Sequence, residues 1–189
     1  MSQDANEVTT RRGHPFGSRH RTIPIPPVDV ATEWLQAGRV LFGVEHRVLD
    51  KDILYAHFAS MPEQMELLKT MTGKSDPLDI FALPEDEGFS LHVCDAKDRQ
   101  EYIRFDAFAE DPHYHYITPG SHHVAVGFDN IADDFEPWVF ARVQSALPEM
   151  LRFAGAHDLA GEVDQDLVRQ SLGTLRDMAQ VAKTRGPRG

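Results

Sequence analysis

Apolar and polar positions alternate with a period of two over residues 40–48. Such alternation is typical of a strand with one buried face. The cluster Asp50-Lys51-Asp52 indicates a turn, and residues 53–58 are predicted as a second strand paired with the first. The same reading predicts further strands over residues 89–94, 101–109, 113–117 and 122–128.

The remaining segments predict helices. A short helix is expected from Asp29, an N-cap residue, to Gly38. A capping box with an early proline predicts a helix over residues 61–72, which Gly73 is placed to end. Another helix is predicted from about Asp134, with a kink or a fresh helix start at Pro148. Residues 164–183 carry one apolar stripe at spacings of three and four, which indicates a long C-terminal helix.

The order of these elements favours one fold class. Strands that cluster together, with helices at the end, are typical of an α+β domain. We therefore predict a mainly antiparallel sheet, with strong curvature as an option, covered by helices. Residues 28–183 are expected to form this single domain, while 1–27 form a flexible tail containing Pro and Arg and 184–189 a flexible basic tail.

Charge and composition limit the partners. The chain has 189 residues and a net charge of −11, and the negative charge is concentrated between residues 28 and 182. An acidic body repels nucleic acid and anionic membranes, so neither is expected as a partner. No apolar run approaches the ~18 residues of a membrane span, and the single Cys94 is compatible with a reducing cytoplasm, where we expect the protein. The sequence also lacks a glycine-rich phosphate loop, so no nucleotide cofactor is expected.

The candidate chemistry lies in residues 111–116, which read Asp-Pro-His-Tyr-His-Tyr. On a strand, His113 and His115 point to the same side and lie roughly 7 Å apart, which allows two imidazoles to bind one metal ion. A turn over residues 118–121 returns the chain antiparallel, so that His122 or His123, one of which shares that side, can supply a third ligand.

Nearby carboxylates extend this prediction. Asp106 and Asp111 can complete the ligand set or orient an imidazole from behind. Arg104 and Asp106 share a strand side and are the candidate catalytic residues, able to bind a substrate carboxylate if buried and forming an ordinary ion pair if exposed. The sequence thus predicts a metal-dependent enzyme that uses one divalent Fe or Zn ion on a small polar molecule, with the reaction type open.

Two other interpretations stay open. In the first, the chain is a non-catalytic homodimer or larger assembly, and the hairpin of histidines with Tyr114 and Tyr116 forms the interface. In the second, a metal-free enzyme uses one histidine as a general base. The isolated histidines elsewhere and Cys94 are expected to be structural: His46, His57 and His92.

Overall fold

The computed structural model describes residues 17, 19–22, 25–50, 52, 55–56, 59, 62–73, 75, 86–119, 123–128 and 135–185. In these ranges, seven strands form one antiparallel sheet in the order β1-β7-β6-β5-β4-β3-β2. The strands are β1 (Arg19–Thr22), β2 (Glu33–Ala37), β3 (Val40–Leu49), β4 (Asp86–Asp95), β5 (Glu101–Phe108), β6 (His113–Ile117) and β7 (His123–Gly127). The sheet is open, with β1 and β2 at its edges.

The helices follow the predicted order. They are α1 (Pro62–Thr72), α2 (Phe135–Ser145), α3 (Leu147–Phe153), α4 (His157–Gly161) and α5 (Gln165–Arg185). Helix α5 packs against β2, β3 and β4 and buries its apolar stripe, which comprises Val168, Leu172, Leu175, Ala179 and Ala182. The predicted α+β fold with a long C-terminal helix is confirmed, and Pro148 lies at the fresh start of α3.

The two faces of the sheet differ in chemistry. The face under the helices is apolar, and Phe42, Leu91 and Phe105 on it are 0% exposed. The opposite face, called the polar face below, carries ten buried polar side chains: Glu45, Arg47, Ser90, His92, Glu101, Arg104, Asp106, His113, His115 and His123. Buried polar groups are costly unless they are paired. The polar face therefore carries the candidate functional residues.

The short helix predicted between Asp29 and Gly38 is wrong. Residues 33–37 form β2, which pairs with β3 so that Ala37 lies opposite Val40. Gly38 adopts a φ of 62°, which allows a tight turn between the two strands. Pairing with a long neighbouring strand outweighs the weak local signal for a helix.

The strand predicted over residues 53–58 is also wrong. Tyr55 and Ala56, the described residues of that segment, are helical. Strand β3 pairs instead with β2 and with β4, a segment that lies more than 35 residues further along the chain. The confirmed helix α1 lies between the two strands in the sequence and ends before Gly73.

The predicted tails need a correction at each end. Strand β1 lies inside the predicted N-terminal tail of residues 1–27 and pairs with β7, so the tail prediction is wrong over Arg19–Thr22. Helix α5 continues to Arg185, two residues beyond the predicted end of the domain. Among the described residues, none of the helices combines the length and apolar character that crossing a membrane requires.

Candidate metal centre

The register of β5 and β6 brings the predicted site residues side by side. Asp106 lies directly opposite His113, and Arg104 lies directly opposite His115. Side chains that face each other across an antiparallel pair have Cβ atoms roughly 4.5–5.5 Å apart. These four residues therefore form a compact square on the polar face.

The predicted orientation of the His-Tyr-His-Tyr strand is confirmed. His113 and His115 lie together on the polar face, each 6% exposed. Tyr114 and Tyr116 lie on the face under the helices, where the ring of Tyr114 is 5.2 Å from that of Trp138. Both histidines are thus buried within the single chain.

Three ligand atoms converge on the polar face. Nε2 of His115 lies 2.8 Å, and Nε2 of His113 3.5 Å, from Oδ2 of Asp106. Asp106, His113 and His115 offer ligand atoms that all lie within 4.8 Å of one another, and all three residues are buried. Tetrahedral bonds of ~2.0–2.2 Å place ligand atoms about 3.3 Å apart, and the two separations from Asp106, 2.8 and 3.5 Å, lie on either side of that value.

The tautomer of His113 is set by the backbone. Its Nδ1 lies 2.6 Å from the carbonyl oxygen of Asp111, and a carbonyl oxygen only accepts hydrogen bonds. Nδ1 therefore carries the proton and donates it, which leaves the lone pair of Nε2 on the side of Asp106. Metal-binding histidines usually have this arrangement, with the second ring nitrogen bound to a carbonyl or carboxylate.

Asp106 is ionised although it is buried. Burial alone would raise its pKa, but the hydrogen bond from His115 and the positive charge of Arg104 outweigh that cost and hold the pKa well below the ordinary value. The hydroxyl of Ser90 donates to its other oxygen, Oδ1, at 2.5 Å. Burial lowers the pKa of His115 to about 3, so this imidazole is neutral. An ionised carboxylate beside the neutral imidazole of His115 suits the binding of a divalent ion, which requires deprotonated carboxylates and neutral histidines.

His123, one of the two predicted third ligands, lies outside the three-residue group. Nε2 of His123 lies 2.7 Å from Nδ1 of His115, on the side of the ring away from Asp106. Asp106 takes the third place in the three-residue group, and His123 lies behind His115. His122, the other candidate, lies outside the described residues.

Arg104 pairs with the carboxylate of Glu101, a residue that the sequence pattern did not single out. Its Nε and Nη2 donate to the two oxygens of Glu101, each at 2.9 Å. Burial alone would lower the pKa of Arg104, but the negative charges of Glu101 and Asp106 raise it above its ordinary range. Arg104 is thus a permanent buried cation beside Asp106 and a bidentate partner of Glu101.

The polar network continues to β3 through His92. Nδ1 of His92 lies 2.6 Å from Oε1 of Glu101. Its Nε2 is 3.3 Å from Oε1 of Glu45, without the geometry of a hydrogen bond, and this nitrogen has no hydrogen-bond partner among the residues that the structure describes. Burial alone would raise the pKa of Glu45, but His92 and Arg47 lower it to about 2. The sequence analysis did not identify Glu45, Glu101 and Ser90 as members of this network. The alternation of side chains along β3, β4 and β5 could have indicated them, because it places all three on the face opposite the apolar one.

His46 and Cys94 have structural positions, as the sequence predicts. Nδ1 of His46 lies 3.1 Å from the carbonyl oxygen of Ala182 in α5. Cys94 is fully buried, and burial raises the pKa of its thiol to about 12, which keeps it protonated and unreactive. Neither residue contributes to the three-residue group.

Comparisons with known proteins give one family. A family model described as a domain of unknown function (DUF7700) matches residues 34–179, a range that includes Asp106, His113 and His115. No curated protein matches the chain significantly, and neither does any solved structure. Since the family model spans more than half of the sequence, the chain belongs to the DUF7700 family.

Proposed function

We propose that this protein is a metal-dependent enzyme acting on a small polar molecule, with Asp106, His113 and His115 as ligands of one divalent Fe or Zn ion. One observation carries the proposal: the ligand atoms of the three buried residues lie within 4.8 Å of one another. Two imidazoles and one carboxylate are a donor set used for both zinc and non-haem iron. Three protein ligands leave coordination positions for water, substrate or dioxygen.

The surroundings of the group support catalysis better than a purely structural metal. Structural zinc sites usually have four protein ligands and include cysteine, whereas the one cysteine here, Cys94, is buried at a different position on the sheet. Arg104 adds a buried positive charge next to Asp106, and Ser90 fixes the other oxygen of that carboxylate. A partly open ion among oriented polar groups is suited to binding and polarising a small polar substrate.

Elemental analysis tests this proposal. The chain is purified without a histidine tag and without added metal, and compared with His113→Ala/His115→Ala and with Asp106→Asn. We expect close to one Fe or Zn per wild-type chain and loss of the metal from both variants. His157→Gln changes an exposed histidine on α4 and is the matched control, which should retain the metal.

The other outcomes lead to different conclusions. Wild-type protein without metal, together with a double variant that differs only in oligomer size by light scattering, favours the assembly interpretation. Activity that chelators leave unchanged favours a metal-free enzyme with a histidine base. Metal that stays with Asp106→Asn would show that the carboxylate is not a ligand.

We also infer a cytoplasmic enzyme that binds neither nucleic acid nor membranes. The net charge of −11 opposes binding to phosphate-rich surfaces, and the single buried cysteine is compatible with a reducing compartment. Cell fractionation and a nucleic-acid binding assay at low salt test these two points.

A further inference from the structure

Residues 25–32, called the strap below, lie against the polar face at strand β3. Arg47 of that strand donates from Nη1 to the carbonyl oxygen of Ile25 at 3.1 Å. It donates from Nη2 to the carbonyl oxygen of Pro26 at 2.9 Å. The side chain of Arg47 is buried, so a buried cation holds the backbone of the strap.

Glu45 completes the attachment two residues earlier on β3. Its Oε2 accepts from the backbone N–H of Val28 at 3.0 Å and from the hydroxyl of Thr32 at 2.8 Å. Its Oε1 accepts from Nε of Arg47 at 2.8 Å, so the two charges neutralise each other. The buried pair of Glu45 and Arg47, called the latch below, therefore binds the strap through hydrogen bonds to charged groups, which are stronger than those between neutral groups.

Apolar packing contributes little to this attachment. Val28 is 51% and Val30 87% exposed, and none of the apolar side chains of the strap is fully buried. Asp29 pairs with Arg99, but both side chains are more than half exposed, and exposed ion pairs contribute little. A segment with few buried apolar contacts, held by a small number of hydrogen bonds, can detach while the core stays folded.

The strap and strand β1 lie on opposite sides of the candidate metal centre. Thr22 on β1 lies opposite His123 on β7, and three residues later Ile25 contacts Arg47 on β3. Strands β5 and β6, which carry the three-residue group, lie between β7 and β3. Three residues span at most ~11 Å, whereas five steps across a flat sheet cover ~24 Å, and a strand side chain leans along its strand rather than across the sheet. The sheet is therefore strongly curved around the polar face, with the strap and β1 flanking the three-residue group.

We propose that the strap is a movable cover of the polar face and that the latch of Glu45 and Arg47 controls its opening. Glu45 lies opposite Ser90, and Ser90 lies opposite Asp106, so the latch is two strands, or about 10 Å, from a candidate metal ligand. Detachment of the strap exposes the polar face at β3 and widens the way to the buried imidazoles. The use of this opening as an entrance for the ion and a small polar substrate rests on the proposed metal site.

Native-state hydrogen exchange tests the movement in the wild-type chain. The amide of Val28 donates to Glu45, and the amide of Thr32 donates to the carbonyl oxygen of Val28. We expect both amides to exchange through a local opening that depends weakly on urea, whereas the amide of Leu91 in the central strand β4 exchanges only with global unfolding. Strap amides that exchange only together with that of Leu91 would overturn the proposal.

Substitutions in the latch test its control of the strap. Glu45→Gln/Arg47→Met removes both charges together, which avoids leaving one buried charge unpaired. Arg47→Lys retains a positive charge beside Glu45, but an ammonium group lacks the planar fork that reaches two carbonyl oxygens. The matched control is Arg39→Met/Asp95→Asn, which removes another arginine–carboxylate pair at the opposite end of β3 and β4.

Carbethoxylation of the metal-free protein measures how often the polar face opens. Diethyl pyrocarbonate reacts with accessible imidazoles, and mass spectrometry follows the rate at each of three buried histidines, His113, His115 and His123. We expect them to react about 10–100-fold faster in the double latch variant than in wild type, because hydrogen bonds to charged groups no longer hold the strap. Arg47→Lys should give intermediate rates, and the control variant should give wild-type rates.

The exposed His157 is the internal reference and should react at the same rate in every variant. If the double latch variant does not fold, Arg47→Lys and hydrogen exchange of the wild-type chain still decide. Wild-type rates at the three buried histidines in the folded latch variants would overturn the control of the strap by the latch.

Failure of this inference differs from failure of the proposed metal site. Both experiments use metal-free protein, so they decide about the strap even when wild type binds no ion. If wild type binds one Zn²⁺ but the strap amides exchange only with global unfolding, the metal site stands and the strap is a fixed part of the fold. If both proposals hold, a chelator should remove Zn²⁺ faster from the double latch variant than from wild type.

Discussion

Nε2 of His115 lies 2.8 Å from Oδ2 of Asp106, a residue nine positions earlier in the chain and on the neighbouring strand. The contact is diagonal, because Asp106 lies directly opposite His113 and His115 lies opposite Arg104. One carboxylate oxygen thus faces both imidazoles. The proposed metal site depends on that arrangement.

The charge of Asp106 holds the group together even without metal. Asp106→Asn keeps the shape of the side chain but replaces a charged acceptor for His115 and Ser90 by a weaker one. Because hydrogen bonds to charged groups contribute about 1.5–3 kcal/mol, we expect the free energy of unfolding at pH 7 to fall by about that amount. Urea unfolding of chelator-treated protein measures it, with the exposed Asp158→Asn on α4 as control. An unchanged midpoint in Asp106→Asn would show that the carboxylate is not ionised and bonded as described.

The stability of the metal-free protein should depend on pH through two histidines. Burial lowers the pKa of His115 to about 3 and that of His123 to about 4, whereas both are ~6.5 in the unfolded chain. Between these values the unfolded chain binds more protons than the folded one, so stability falls as the pH falls from about 6.5 towards 4. Each ring should account for a loss of roughly 2 kcal/mol between pH 7 and pH 5.

Urea unfolding at the two pH values measures this effect. His115→Gln/His123→Gln should show a smaller loss of stability between pH 7 and pH 5, whereas the exposed His157→Gln should show the wild-type loss. Wild-type stability that does not change between pH 7 and pH 5 contradicts the assignment of two neutral buried rings.

Buried and exposed ion pairs of arginine should respond differently to loss of the carboxylate charge. Glu101→Gln leaves the buried guanidinium of Arg104 without its bidentate counter-charge, which should cost about 3–5 kcal/mol of unfolding free energy. Glu162→Gln removes an exposed partner of Arg39 and should leave the unfolding midpoint unchanged. Chemical denaturation of both variants tests the contrast, and equal effects would show that the pair of Glu101 and Arg104 is not buried.

Substitution by alanine should change stability in opposite directions at two glycines, Gly88 and Gly173. A Cβ at Gly88 would lie 2.1 Å from the carbonyl oxygen of Ala107, so β4 and β5 would have to separate. A Cβ at Gly173, on α5, meets nothing within 4 Å. Gly88→Ala should therefore lower the melting temperature and weaken metal binding, while Gly173→Ala should stabilise the helix by roughly 0.5–1 kcal/mol. Thermal unfolding with and without Zn²⁺ measures both, and a stable Gly88→Ala protein that binds metal normally would argue against the tight pairing of β4 with β5.

The sequence predicts local features of this protein well. Alternation within a strand places His113 and His115 on one side regardless of which strands are neighbours, and the apolar stripe of residues 164–183 predicts α5 within two residues of its observed end. Both depend only on the geometry of a single element.

Pairing between distant segments is not predictable in the same way. Residues 53–58 are mostly apolar and lie closer to β3 in the sequence, yet β3 pairs with Asp86–Asp95. Packing of the whole sheet under α5 determines which strand pairs with β3, and a local sequence pattern does not contain that information. For the same reason, the place of Asp106 in the ligand group follows only from the register of β5 against β6, and the place of His123 behind His115 only from the register of β6 against β7.

Anomalous diffraction from crystals of the wild-type chain grown with Zn²⁺ locates the bound ion itself. We expect one strong peak at the zinc edge, roughly 2.0–2.2 Å from Oδ2 of Asp106 and from Nε2 of both His113 and His115. Crystals that show no peak among these three residues, or a peak only at exposed histidines such as His157, would contradict it.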